Sequence, residues 1–201
     1  MQSFSVSDLT VCGLDELDSH SARGVTHVLS ILDPDRPDPE VFLAFSPHFR
    51  TILRFNDAIE PEPGVVLPEE ADAEAILAFA RDAGADLRHL LIHCHAGISR
   101  STAAMLMILA QAHPEETEEA MVQRLTRIRP QAWPNSRMIA FADDLLDRKG
   151  RLTAAVSGLY ARRVAARPEL VETMRRLNRA REVDIALALN SGSRLEGLAA
   201  K

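Results

Sequence analysis

Nine residues, His93 to Ser101, read HCHAGISRS and gather a thiol, two imidazoles, a guanidinium and two hydroxyls into a stretch no longer than a loop. Arg100 follows Cys94 by six positions, and Ser101 comes next. If the segment joins the end of a strand to the start of a helix, the unpaired amides of the first helical turn and the helix dipole aim positive charge into the loop. Residues His95, Ala96, Gly97, Ile98, Ser99 and Arg100 can then ring a tetrahedral oxyanion, with Gly97 freeing the backbone to curl. The field that holds an anion also stabilises a thiolate, which makes Cys94 a candidate nucleophile. Arg100 can turn its planar fork over the loop and grip two phosphate oxygens. Ser101 is placed to donate a hydrogen bond to the sulfur when it departs from phosphorus. His93 is expected to organise the loop, and His95 to face the pocket rim.

Two other readings compete. His93 and His95 lie two positions apart and could share a face as metal ligands, but Cys94 then points away and His89 and His113 are isolated; we expect no metal and no cofactor. A buried structural cysteine near an exposed arginine is the commoner arrangement, yet His, Cys, Arg and Ser at these four positions coincide by chance only on the order of 1 in 10⁴ per cysteine.

The elements needed to position this loop are legible around it. LRHLLIHC is apolar enough for a central strand, and Ser101 to Ala112 is a helix with almost no charge, expected to be buried on most sides. Phe4–Leu14, Gly24–Leu32 and His48–Phe55 read as further strands, the second ending in the turn-forming run DPDRPDP. A helix is predicted from Pro68 to a stop at Gly84, another over PEETEEAMVQRLTRIR, and a third opened by Pro134 and Asn135, a good N-cap. Two more follow, Leu152–Ala166 and Pro168–Leu189, and the last stretch, from Asn190, has little to bury. The fold class is therefore α/β: a central, mostly parallel sheet flanked by helices, with a C-terminal helical extension.

The chain has 201 residues, 46% of them hydrophobic and 26% charged, as in a globular protein. Two cysteines are too few for a disulfide framework, and neither a signal peptide nor a membrane span is evident, so we expect a cytoplasmic protein. Charge divides unevenly: residues 1–147 hold 11 Lys and Arg against 24 Asp and Glu, residues 148–201 hold 12 against 5. An acidic body with a basic tail results. Arginines that solvate helix faces and pair with the body explain the tail better than nucleic-acid binding, which is not expected.

HCHAGISRS resembles the His-Cys-X5-Arg-Ser/Thr signature of the cysteine-dependent protein tyrosine phosphatase superfamily, in the form of its dual-specificity members, among which small bacterial-type phosphatases are similar. RIRPQAWPN, Arg127 to Asn135, is similar to that group's Arg-Pro then Pro-Asn segment, and the resemblance implies a supporting role for Asn135 near the phosphate loop. The matches cover about residues 24–147, which suggests a catalytic domain over 1–149 and a basic extension over 150–201. The resemblance implies a cysteinyl-phosphate intermediate, no metal, and an Asp general acid some thirty residues before the cysteine. Asp57, in RFNDAIE and 37 residues upstream, takes that place, with Glu60 and Glu62 as weaker candidates. Read by itself, an Asn-Asp pair caps its own turn. Cys12, in an apolar strand, is expected to be a small buried residue rather than a redox partner of Cys94.

No lysine stands between Cys94 and Arg100, which disfavours polyanionic substrates. Phosphotyrosine, or phosphoserine and phosphothreonine, on a protein is the expected substrate, with phosphate or sulfate able to occupy the loop. A phosphate-binding pseudophosphatase, a phosphoinositide phosphatase and a sulfur-transfer enzyme are the alternatives.

Overall fold

A computed structural model describes residues 8–199. Four strands, β1 (Asp8–Cys12), β2 (His27–Leu32), β3 (Phe49–Arg54) and β4 (His89–His93), form one sheet in the order β1-β4-β2-β3, every pair parallel. The part of the expected first strand that precedes Asp8 lies outside the described residues. β4 is an inner strand buried at each of its five positions, which is why its sequence is apolar without alternation apart from the histidines at its two ends. Register sets His93 between Cys12 and Ser30.

One face of the sheet, through Leu29, Ile31, Leu90 and Ile92, packs under the helices; the other, through Val28 and Leu91, is covered by Leu17 and Phe42 from two short 3-10 turns. The helices are α1 (Glu70–Ala83), α2 (Arg100–Ala112), α3 (Glu118–Ile128), α4 (Ser136–Leu145), α5 (Arg151–Ala166), α6 (Leu170–Arg176) and α7 (Ala180–Ala199). Every residue of α2 from Arg100 to Ala110 is buried, so the helix is held from all sides, each large apolar side chain contributing roughly 1.5–3 kcal/mol. That places a rigid helix directly behind the signature loop.

The extension joins the same core. Leu152, Val156, Leu159 and Tyr160 of α5, Met174 of α6 and Val183 and Ala186 of α7 are buried with the body's own apolar residues. Asp143 at the end of α4 accepts hydrogen bonds from Gly150 N and Thr153 N, at 2.6 and 2.7 Å, and so satisfies the first turn of α5. Tail arginines pair with body carboxylates: Arg148 and Arg151 with Glu118, at 3.3 and 2.9 Å, and Arg162 with Glu119 at 3.0 Å.

One expected helix is two. The predicted run Pro168–Leu189 breaks between α6 and α7, where Asn178 adopts a left-handed φ of 58° and Arg179 N donates back to Met174 O at 2.9 Å. Asn tolerates this conformation and commonly ends helices. Beyond Asn190 the chain stays helical to Ala199, and the last two residues lie outside the described ones. Among the described residues, no helix is long and apolar enough to cross a membrane.

Candidate active site

The loop from Cys94 to Ser99 leaves β4 at its C-terminal end and enters α2 at Arg100. Its conformation is dictated by where its carbonyls go. His95 O accepts from Leu14 N at 2.8 Å, Ala96 O and Gly97 O from Arg129 at 3.0 and 2.9 Å, Ile98 O from Trp133 N at 2.8 Å, and Ser99 O from Thr102 Oγ1 at 2.9 Å. Five successive carbonyls thus point outward, and the amides between them turn toward a common centre. Among the described residues, no protein acceptor takes the amides of residues 95–99. Gly97 has φ 67°, and a Cβ there would collide with the Cys12 carbonyl carbon and Gly13 N, so the loop lies directly against the end of β1.

Cys94 sits at the floor of this ring, 2% exposed, with its Sγ 3.2 Å from Ser101 Oγ. Arg100 is equally buried. Its Nη1 donates to Asp33 Oδ1 at 2.6 Å and to Phe55 O at 2.5 Å, while its Nε has no protein partner. One corner of the guanidinium is fixed and the Nε edge is left for an anion. His93 does not line the cleft: fully buried, its Nε2 lies 2.7 Å from Ser30 Oγ, which itself accepts from Arg50 Nε at 2.9 Å. Burial, reinforced by the Arg50 charge, pushes its pKa down to about 3, so it is neutral. His95 is partly exposed at the rim with Nδ1 3.5 Å from Asp33 Oδ2; burial lowers its pKa, which the Asp33 charge opposes. The two imidazoles therefore serve different neighbours. Among the described residues, the ligand atoms that cluster at metal-binding distances are those of His113, Glu115 and Glu116, between α2 and α3.

Asp57 follows β3 and enters the same cleft. Its Oδ1 accepts from Ser99 Oγ at 2.8 Å, from Asn135 Nδ2 at 3.0 Å and from Arg179 Nη2. Burial raises its pKa, but the charges of Arg179 and Arg100 and the bonds from Asn135 and Ser99 outweigh that, and the carboxyl is held below its ordinary value. Asn135 also caps α4, its Oδ1 accepting from Arg137 N and Met138 N at 3.1 and 3.2 Å. One side chain thus ties the Asp57 loop to α4. Glu60 pairs with Arg181, and Glu62, which borders the cleft, accepts from Asn178 Nδ2, at 2.9 Å each. Cys12 is a free, buried thiol whose pKa burial pushes up to about 12.

Together these groups border a cleft of about 610 Å³, whose far wall is Arg163, Arg167, Leu170, Met174 and Leu177 of the extension. The arrangement can hold a tetrahedral dianion over a thiol with a carboxyl group beside it, the requirements of phosphoryl transfer to sulfur.

Sequence pattern does not single out three participants. It marks Asp33 only as a turn former, although its place at the carboxyl end of β2, beside β4, is where α/β sheets bind ligands. Arg129 lies inside the RIRPQAWPN segment, and its contacts with Glu16, at 2.8 and 2.7 Å, link residues 113 positions apart, which no local pattern reveals. Arg179 had one available signal, the helix-ending Asn178 before it.

No family model and no curated protein sequence matches the chain. Solved structures do match its fold. Human DUSP28 is 16% identical over 72% of this chain and 94% of its own, with a TM-score of 0.54. DUSP15 is 17% identical over 79% and 94%, with a TM-score of 0.52, and PTPMT1 in complex with PI(5)P is 14% identical over 71% and 92%, with a TM-score of 0.51. The chain has the fold of the dual-specificity-like and tyrosine-type phosphatases.

Proposed function

We propose that this protein is a metal-independent phosphomonoester hydrolase of the cysteine-dependent protein tyrosine phosphatase superfamily, acting on phosphotyrosine or, with dual specificity, on phosphoserine and phosphothreonine in proteins. The observation that carries the reading is the outward turn of five successive carbonyls around Cys94, which leaves an amide ring and the Nε edge of Arg100 above a thiol with Ser101 at 3.2 Å. The Cys94 thiolate attacks phosphorus, the P–O bond breaks, and the departing oxygen takes a proton from Asp57. Water then gives a proton to the Asp57 carboxylate and attacks the phosphocysteine; the S–P bond breaks and the thiolate returns, eased by the Ser101 hydrogen bond. The amide ring and Arg100 neutralise the equatorial oxygens in both steps. Asn135 and Ser99 hold Asp57, and His93 supports the loop from behind.

Support from the comparisons is at the level of fold, and it favours phosphorylated substrates in general. The choice of protein over lipid rests on a loop without lysine. The test is turnover of an aryl phosphate with a chelator present. Activity abolished by Cys94→Ser is the expected result; activity that survives this substitution refutes the reading. A parallel panel of phosphopeptides and phosphoinositides decides between the substrate classes, and binding without turnover identifies a pseudophosphatase.

A further inference from the structure

At the break between α6 and α7, Asn178 and Arg179, with Arg181 just inside α7, reach the acid loop. Arg179 Nη2 donates to Asp57 O at 2.9 Å, to Asp57 Oδ1 and to Ser99 Oγ at 3.1 Å. Asn178 Nδ2 donates to Glu62 Oε1 at 2.9 Å, and Arg181 Nη1 lies 2.9 Å from Glu60 Oε1. The loop's own neck is closed by Asn56 N donating to Val66 O and Val66 N to Asn56 Oδ1, at 2.7 and 2.8 Å. Behind Arg179, Glu182 is fully buried. It lies 3.5 Å from Arg179 Nη1 and accepts from Trp133 Nε1 and Ser136 N, at 2.5 and 2.9 Å. Arg179, with 4% of its side chain exposed, is thus held between the acid loop and the start of α4.

We propose that the α6–α7 junction is a built-in clamp on the acid loop, and that Arg179 is a positioning residue for Asp57, which makes the C-terminal helices part of the catalytic apparatus. The proposal rests on the reading of Asp57 as the general acid and base. A guanidinium bonded to both the backbone and the carboxylate of one residue fixes its reach as well as its rotamer. It also bears on protonation. The charged or titratable groups that face Asp57 are Arg179 from the junction, Arg100 and His95 from the signature loop and Tyr160 from α5, and the two guanidinium groups hold the carboxyl ionised. An ionised Asp57 is ready to activate water for the second step. The first step runs through the minority protonated form, which penalises alkyl leaving groups more than aryl ones.

The experiment compares wild type with Arg179→Met and Arg179→Lys in two ways: by the carboxyl-carbon NMR titration of Asp57, and by kcat/KM against pH with an aryl phosphate. Arg179→Met is expected to move the Asp57 titration, and with it the alkaline limb of the rate profile, upward by roughly one pH unit or more; Arg179→Lys keeps both near wild type. A midpoint unchanged in Arg179→Met overturns the proposal. If wild type shows no turnover that Cys94→Ser abolishes, the phosphatase reading fails, while the NMR titration still decides whether Arg179 governs Asp57. Should Arg179→Met not fold, the surface variant Asn178→Gly with Arg181→Ala tests the clamp, since glycine accepts the left-handed backbone. Amide exchange over residues 56–66 is expected to quicken roughly two- to fivefold, and unchanged exchange overturns the clamp.

Discussion

Glu182 offers the sharpest stability test, because its two oxygens do separate work. Oε2 accepts from the Trp133 indole and Oε1 from the Ser136 amide, both donors being fixed by the body of the protein. Replacing the carboxylate by the isosteric amide in Glu182→Gln leaves one oxygen for two donors, and the NH2 group then faces an N–H head-on. The substitution also withdraws the negative charge 3.5 Å from Arg179 Nη1. A buried donor left unmatched costs about 1–3 kcal/mol, and Arg179, which keeps its ion pair with Asp57, loses one of two compensating carboxylates. The two effects share the same neighbours and do not add fully, so we expect a loss of about 2–4 kcal/mol for Glu182→Gln and at least as much for Glu182→Ala, which leaves both donors unmatched. Urea denaturation followed by Trp133 fluorescence reads this directly, since Trp133 is the chain's one tryptophan and stacks on Tyr160 at 4.6 Å. A Glu182→Gln protein within about 1 kcal/mol of wild type would refute the reasoning, because it would mean that the Trp133 and Ser136 donors do not depend on this carboxylate.

Two further substitutions probe the loop itself. Gly97→Ala must place a methyl group against the Cys12 carbonyl carbon at a φ of 67°, and we expect at least a tenfold loss of kcat/KM, of the kind that small misplacements of reacting groups produce, measured with an aryl phosphate; unaltered turnover would show that the cradle tolerates a different curl. For His93, the depressed folded-state pKa of about 3 against an ordinary 6.5 means that the unfolded chain binds a proton which the folded chain refuses between these values. Stability from this residue is complete above pH 6.5 and falls as pH drops toward 3, by up to about 1.4 kcal/mol per pH unit. Denaturation curves from pH 7 to 5 should therefore steepen in wild type relative to His93→Asn; parallel curves would show that His93 is not the group responsible.

What the sequence disclosed and what it withheld divide by range of interaction. The strand that delivers Cys94, the helix behind it and the cap at Asn135 are local events: β4 is apolar because both its faces are covered, α2 lacks charge because it is buried throughout, and Asn135 bonds amides two and three residues ahead. Composition and spacing carry that information. The site's long-range partners leave no such trace, since Arg100 meets Asp33 67 positions away and Asp57 meets Arg179 122 positions away. Even the expectation that Pro168–Leu189 forms one helix follows from apolar periodicity alone, which is blind to a single residue in the left-handed region.

The charge asymmetry shows the same division. Along the chain it reads as an acidic body and a basic tail, a pattern better explained by arginines that pair with the body than by an arm reaching for an outside partner. In the fold, Arg148, Arg151, Arg162, Arg179 and Arg181 each lie against a carboxylate of residues 57–119. The tail's positive charge is thus largely answered within the molecule, and its energetic weight is uneven. Arg162, Arg181 and their partners are about half exposed and worth little, whereas Arg179, 4% exposed, sits between Asp57 and Glu182, and its removal leaves both carboxylates without their shared counter-ion. An extension needed only for bulk would require nothing but apolar side chains against Trp133. The Asp57–Arg179–Glu182 row supplies what apolar contact does not, a directional link from the loop after β3 through the extension to the first turn of α4.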